Sequence, residues 1–153
     1  MEITQRTATL SDAAVLLTWR NNPSAREFSH HSELISSDEH LEWLKARLER
    51  AQFEPFYLFV ADYKTIGMSR LDVVSGSVSK FEISISVDPN QHGKGVGTKI
   101  INMTCETFFS LYPDNSIIAS VHQHNFVSQK LFTSAGFELL PTVSDFLHFE
   151  KTL

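Results

Sequence analysis

The sequence predicts an α+β fold in one domain spanning residues 1–153. The expected architecture is a mixed central sheet of about seven strands flanked by about four helices. Three observations lead there. Strand-like segments follow one another at 56–60, 66–74 and 81–88 with only short turns between them, which favours antiparallel neighbours. The second half alternates strand, helix and strand, which favours parallel pairing. The chain has 153 residues, is 42% hydrophobic and carries 12 Phe, enough for one sizeable core.

The elements follow in order. Residues 2–8 fit a short strand. Ser11-Asp12 can cap a helix whose apolar run is Ala13 to Leu17, and Asn21-Asn22-Pro23 stops it. Ser36 with Glu39 fits a capping box, and Leu41, Leu44, Leu48 and Ala51 line one face of the helix it opens. Asp62-Tyr63-Lys64-Thr65 separates the first two of the three successive strands, and Ser75-Gly76-Ser77 turns the chain before the third. In that third strand Phe81, Ile83, Ile85 and Val87 face one way, and Glu82, Ser84, Ser86 and Asp88 the other. A helix from about Thr98 carries the stripe Ile100, Ile101, Thr104, Cys105, Phe108 and Phe109. Ile117 to Val121 is a strand. Asn125 can cap a last helix that ends at Ala135-Gly136, and 137–140 with 146–149 are closing strands.

Composition narrows the function classes. A net charge of −5 opposes sequence-independent nucleic-acid binding. No apolar run approaches the ~20 residues of a membrane span, so no membrane partner is expected. The N-terminal residues lack the apolar core of a signal peptide and one cysteine allows no internal disulfide, so a cytoplasmic location is expected. Cys105 in an apolar stripe reads as a buried thiol. No metal site is expected: His122-Gln123-His124 and His30-His31 lack companion ligands, and His122 and His124 are either substrate contacts or surface histidines.

The most informative segment runs from Val87 to Thr98. A strand enters a loop with glycines at 93, 95 and 97, and a helix follows. Glycines at alternate positions let successive N–H groups turn inward, and the helix start adds unpaired N–H groups and a positive dipole end. Such a device holds phosphate. The spacing is neither that of a P-loop nor that of the dinucleotide fingerprint.

The segment His92-Gly93-Lys94-Gly95-Val96-Gly97 resembles the Gln/Arg-x-x-Gly-x-Gly/Ala loop of the GNAT superfamily of acetyl-CoA-dependent N-acetyltransferases. Asn125 to Phe137 resembles the second motif of that family, and the element order is similar over nearly the whole chain. The resemblance implies acetyl-CoA as cofactor. Ser86 and Val87 would lie beside pantetheine, and His92, Gly93, Lys94, Gly95, Val96, Gly97 and Thr98 would form the phosphate loop. Asn125 and Ser128 would reach the pantetheine arm. His92 stands where the family usually has Gln or Arg. Phe132 stands in the slot of the family's frequent tyrosine and cannot donate a proton, so Ser128, a water or bulk solvent protonates the thiolate, or no strong acid is needed.

Acetyl transfer needs a neutral amine, so a carboxylate acting directly or through water is useful. Glu82 is the candidate, with a solvated or ion-paired surface role as the alternative. The backbone N–H of Val87 or a neighbour can stabilise the oxyanion. Residues Leu16 to Pro23, with Ile35-Ser36 and His40-Leu41, resemble the UDP-aminosugar N-acetyltransferases of pseudaminic-acid synthesis, which implies a nucleotide-linked 4-amino sugar as acceptor. Arg20, Arg26, Arg47 or Arg70 could clamp its diphosphate, and Asn21 and His30 could read sugar hydroxyls. A protein N-terminus, an antibiotic or a polyamine are alternative acceptors, and a non-catalytic coenzyme A-binding module is the alternative outside enzymology. A homodimer is compatible with this reading.

Overall fold

The computed structural model describes residues 1–141 and 144–153. Its strands are β1 (Thr4–Thr7), β2 (Phe56–Ala61), β3 (Lys64–Val73), β4 (Lys80–Val87), β5 (Ser116–His122), β6 (Glu138–Leu139) and β7 (Phe146–Lys151). Its helices are α1 (Ala13–Asn21), α2 (Pro23–Glu27), α3 (Ser37–Glu49), α4 (Val96–Leu111) and α5 (Phe126–Ser134). The strands form one sheet in the order β1-β2-β3-β4-β5-β7-β6. Every neighbouring pair is antiparallel except β4 with β5, so the mixed α+β sheet is as expected.

Side-chain alternation divides the molecule into two layers. Leu71, Phe81, Ile83, Ile117, Ala119 and Val121 face α4 and α5 and form the larger core with Ile101, Phe108 and Phe132. The opposite face carries Phe56, Leu58 and Met68, covered by Leu16 and Trp19 of α1 and Leu44 of α3. A bulge between Phe59 and Val60 shifts the β2–β3 register. Asp62 and Tyr63, with φ of 51° and 65°, close the hairpin in left-handed conformations.

Two local expectations are corrected. Asn21-Asn22-Pro23 does not end the helical region: the Asn22 side chain accepts from Ser24 N–H and Pro23 opens α2. This is why there is one helix more than expected. Asp12 does not cap α1 through its side chain; it accepts from the Thr9 N–H and pairs with Arg6 at 2.7 Å, tying β1 to the turn before α1. Ser36 does cap α3, accepting from Glu39 N–H, and Gly136 at φ 90° follows α5 as the left-handed residue expected there.

Candidate active site

The sheet forks in its middle. Strands β4 and β5 are paired only from Lys80↔Ser116 to Glu82↔Ile118, yet β4 runs on to Val87 and β5 to His122. Each stays bonded to its outer neighbour: Gly67 faces Val87 across β3–β4, and His122 faces Phe146 across β5–β7. The alternation of antiparallel bonds then fixes which main-chain groups face the gap. Asp88 N–H donates to Ile66 and Val74 N–H to Lys80, so even-numbered residues of β4 bond to β3. Ile83, Ile85 and Val87 therefore turn their N–H and C=O groups into the fork. The His92 ring lies against the Val87 carbonyl there, with Nε2 at 3.3 Å.

The glycine loop closes one end of this gap. Asp88 accepts from Asn90 N–H and starts the turn at 89–91. Gly93 and Gly95 have φ of 79° and 76°, and a Cβ added at either would meet nothing within 4 Å. The glycines are needed there for conformation, not for space. Gly97 is different: a Cβ would stand 3.1 Å from Leu131 Cδ1, so the residue lets α4 approach α5 closely. Gly95 is the N-cap of α4 and provides no side-chain cap, so the first-turn N–H groups of Val96, Gly97 and Thr98 open onto the loop. Alternating left-handed glycines beside a 16-residue helix start fit a pyrophosphate. His92 turns back toward Val87, and the loop reads as a main-chain device.

On the other side of the fork, Asn125 Oδ1 caps α5 by accepting from Ser128 N–H at 3.2 Å. Gln129 Nε2 donates to the Gln123 carbonyl at 2.9 Å and steadies the β5–α5 turn. Phe132, in the family's tyrosine slot, is buried at 4% exposure and stands edge-on to Phe137. It is a core residue. Cys105 is also core, and burial pushes its thiol up to about 11, so it stays protonated.

The other face of the sheet at the fork is the one under α1 and α3. Glu82 stands exposed at the foot of the fork, in the last β4 residue paired with β5, and among the described residues it forms no ion pair. Asp72 lies opposite it on β3, already held by Arg47 at 2.7 Å and by Arg70. Trp43 of α3 carries the Arg70 guanidinium 5.2 Å above its ring. Burial, with Arg20 nearby, holds the neighbouring His40 imidazole below its ordinary value.

The structure separates the arginines and their neighbours named from the sequence. Arg47 is 1% exposed and donates to Asp72 and to the carbonyls of Glu54, Pro55 and Leu71, so it is a structural cation and not a diphosphate clamp. Asn21 bonds both ways to the main chain of Ile35, and Arg26 donates to the carbonyls of Asn21 and Ser32. These side chains bind the 28–36 segment to α1 and α2. Arg20 gives one donor to the Glu33 carbonyl. His30 reaches across to β5, with Nε2 3.1 Å from Ser120 Oγ, and stacks on Phe146. Sequence reading missed Ser120 and Phe146. Strand alternation places Ser120 on the face of Glu82, but nothing local links it to a histidine 90 residues away.

Among the described residues no group of three His, Cys, Asp or Glu side chains could hold a metal ion. No described helix is long and apolar enough to cross a membrane. In sequence, no curated protein matches the chain. Among solved structures, the ribosomal-protein-alanine N-acetyltransferase of Brucella melitensis is similar with a TM-score of 0.83, 23% identity, and coverage of 98% of this chain and 99% of that one. AAC(6')-Ib in complex with ribostamycin and coenzyme A gives 0.84, 22%, 99% and 94%. The spermidine N-acetyltransferase of Vibrio cholerae in complex with CoA and spermine gives 0.84, 19%, 97% and 94%. These likenesses show the fold. The family description "Acetyltransferase (GNAT) domain" matches residues 2–138, which span both the glycine loop and the Asn125 helix, and so the chain belongs to the GNAT acetyltransferases, enzymes whose acetyl donor is acetyl-CoA.

Proposed function

We propose that this enzyme acetylates a primary amine that enters on the α1–α3 face of the fork and meets the donor above Glu82. The observation that carries the reading is the coincidence, at one break in the sheet, of an open β4 edge, a loop of left-handed glycines at a helix start and a carboxylate without an ion pair among the described residues. Coenzyme A supplies the acetyl group as an activated thioester. The chain's own groups then have defined parts. The amides of Gly93 to Thr98 bind the pyrophosphate, and Ile85 and Val87 offer main-chain partners to the pantetheine amides, with Ser86 between them. The N–H of Val87 or Ile85 faces the developing oxyanion. Asn125 keeps its Nδ2 donors for the pantetheine arm while Oδ1 caps α5, and Ser128 lies beside it. Glu82 receives the ammonium group and assists its deprotonation, directly or through water.

The finer acceptor assignment is the 4-amino group of a UDP-linked deoxy sugar. The pattern from Trp19 to Leu41 supports it. Arg20, with one donor on the Glu33 carbonyl, is the least committed of the four arginines for a diphosphate clamp, and Arg70 would serve beside it while paired with Asp72. A protein α-amine, an aminoglycoside and a polyamine compete with it, each the kind of acceptor that a similar fold's name records. The test is an acetylation screen read by mass spectrometry, with UDP-4-amino sugars, alanine-initiated peptides, aminoglycosides and spermidine as acceptors. Turnover of the nucleotide sugar, with kcat/KM reduced about 10²-fold in Glu82→Gln and most at low pH, is the expected result. Turnover of another class only would remove the nucleotide-sugar assignment. Coenzyme A binding with no turnover on any amine would make the protein a binding module.

A further inference from the structure

We propose that the proton of the acceptor ammonium leaves through Ser120 to His30, so that Ser120 is a catalytic residue and His30 the base acting through it. The proposal rests on the fork being the acetyl-transfer site, and it refines the part given to Glu82: the carboxylate holds the ammonium and the imidazole takes the proton.

Ser120 lies on the separated part of β5, two residues beyond the last β4–β5 pair, and side-chain alternation turns it to the same face as Glu82. At ~3.3 Å of rise per residue the two side chains stand roughly 7 Å apart along the fork. An amine held by Glu82 therefore has a hydroxyl within reach on its other side. Behind that hydroxyl lies His30, with Nε2 at 3.1 Å, brought from the 28–36 segment that Asn21 and Arg26 fix in place. The ring lies flat on Phe146, with centroids 3.5 Å apart and planes 16° from parallel. The exposed ring edge lets the proton pass on to water.

The chemistry prefers this route. A carboxylate that pairs with an ammonium ion stabilises the protonated amine, so it assists deprotonation by holding the ammonium against a better proton acceptor. Imidazole as a class binds a proton about 10²-fold more tightly than a carboxylate, which makes it the better match to an alkylammonium at neutral pH. The step balances. An N–H bond of the ammonium breaks as Ser120 Oγ takes that proton, the Ser120 O–H bond breaks as Nε2 takes the serine proton, and the products are neutral amine, intact serine and imidazolium. The charged and titratable groups on the elements that meet or adjoin the ring are His122 on β5, His148 on β7 opposite Ser120, Glu82 on β4, Arg26 and Glu27 on α2, and His31 and Glu33 in its own segment.

The test reads the tautomer directly. In the full chain labelled with ¹⁵N-histidine, the His30 resonances are identified by their loss in His30→Gln. The expected neutral ring carries its proton on Nδ1 and leaves Nε2 as acceptor, and Ser120→Ala shifts the balance toward Nε2–H. A wild-type ring protonated at Nε2, or a tautomer indifferent to Ser120→Ala, overturns the proposal. Coenzyme A affinity, measured by calorimetry, is expected to stay within twofold of wild type in both variants. A larger loss would make the pair a brace of the fork and also overturn it. With the acceptor found by the screen, both variants should lose kcat about tenfold or more and lose the acid limb of kcat, while KM holds. A raised KM with the limb intact would reduce His30 to a structural contact. Failure of the acetyl-transfer reading itself would appear in the wild-type protein, as absent turnover or absent coenzyme A binding, with the tautomer unaffected.

Discussion

Replacing Arg47 with methionine should cost the fold about 3–5 kcal/mol and leave coenzyme A binding unchanged, because this arginine is bound on every side by its own protein. Its side chain is 1% exposed. Nη1 donates to the Glu54 carbonyl at 2.7 Å, and Nη2 to those of Pro55 and Leu71 at 3.3 and 3.1 Å. Nε donates to Asp72 at 2.7 Å. Methionine fills most of the volume and satisfies none of these acceptors, although the Pro55 carbonyl keeps the Leu71 N–H at 2.9 Å. Each buried acceptor left without a donor costs about 1–3 kcal/mol. Asp72 contributes less, since it is 24% exposed and keeps Arg70, which pulls the sum toward the lower end of the range. For a chain of this length 1 kcal/mol moves Tm by roughly 2–4 °C, so a fall of about 6–20 °C is expected by circular dichroism. Adding Asp72→Leu should cost less than the two single changes together, because the pair is then removed as a unit. A fall under about 3 °C, or a normal Tm with acceptor affinity lost, would refute the reasoning and return Arg47 to the ligand.

Two further outcomes follow from local geometry. Gly95→Glu sets a carboxylate beside the pyrophosphate and forces a side chain onto φ of 76°, so coenzyme A affinity should fall about tenfold or more by calorimetry, whereas unchanged affinity would detach the loop from the donor. The Asp12 carboxyl is held below its ordinary value, chiefly by the hydrogen bond from Arg6. Its contribution is present above the unfolded value near 4 and is lost as pH falls through the lower folded value. With Arg6 43% exposed and the pair thus partly screened, about 1 kcal/mol is expected. Asp12→Asn should lower Tm at pH 7 by about 2–4 °C and flatten the loss of stability below pH 4; an acid limb as steep as in wild type would remove Asp12 from it.

The parts legible in the sequence were those with a local cause. Alternation along 81–88 and a cap at Asn125 need only neighbouring residues, and both were read as they stand. The turn of the glycine loop was legible because Gly93 and Gly95 adopt left-handed conformations that few other residues accept. Misreadings arose where two local signals compete. Asn22-Pro23 is a stop for the helix before it and a cap with a first-turn proline for the helix after it, and the residues alone do not rank the two. Arg47 illustrates the other limit. On its helix it is one more cation, and its burial depends on the carbonyls of Glu54, Pro55 and Leu71, which only the tertiary fold brings around it. Ser120 with His30 is the extreme case, since the contact spans a sequence separation of 90 and joins a loop to a strand.

On the proposed reading the two substrates are recognised by different means, and this bears on how such an enzyme can change. The proposed donor side is main chain: the open edge of β4, the left-handed glycines and the amides at the start of α4. Its demands on side chains are few, so His92 can stand where the family usually has Gln or Arg, turned back onto Val87 instead of into the loop. The proposed acceptor side is side chain throughout. Glu82 projects from the foot of the fork, and Trp43 stacked under Arg70 is proposed as one wall. The opposite wall is the 28–36 segment, which has no regular structure of its own and is held by Asn21, Arg26 and the His30–Ser120 contact. A loop fastened at these points can be resized between them without disturbing a single strand bond, whereas β4 cannot move without moving β3 and the helix start behind it. Gly67 marks how tight that second constraint is: a Cβ there would stand 2.4 Å from Ile100 of α4 and 2.7 Å from the Ser86 carbonyl. The proposed donor machinery is thus wedged against the core, and on this reading the freedom to select an amine lies in the fastened loop.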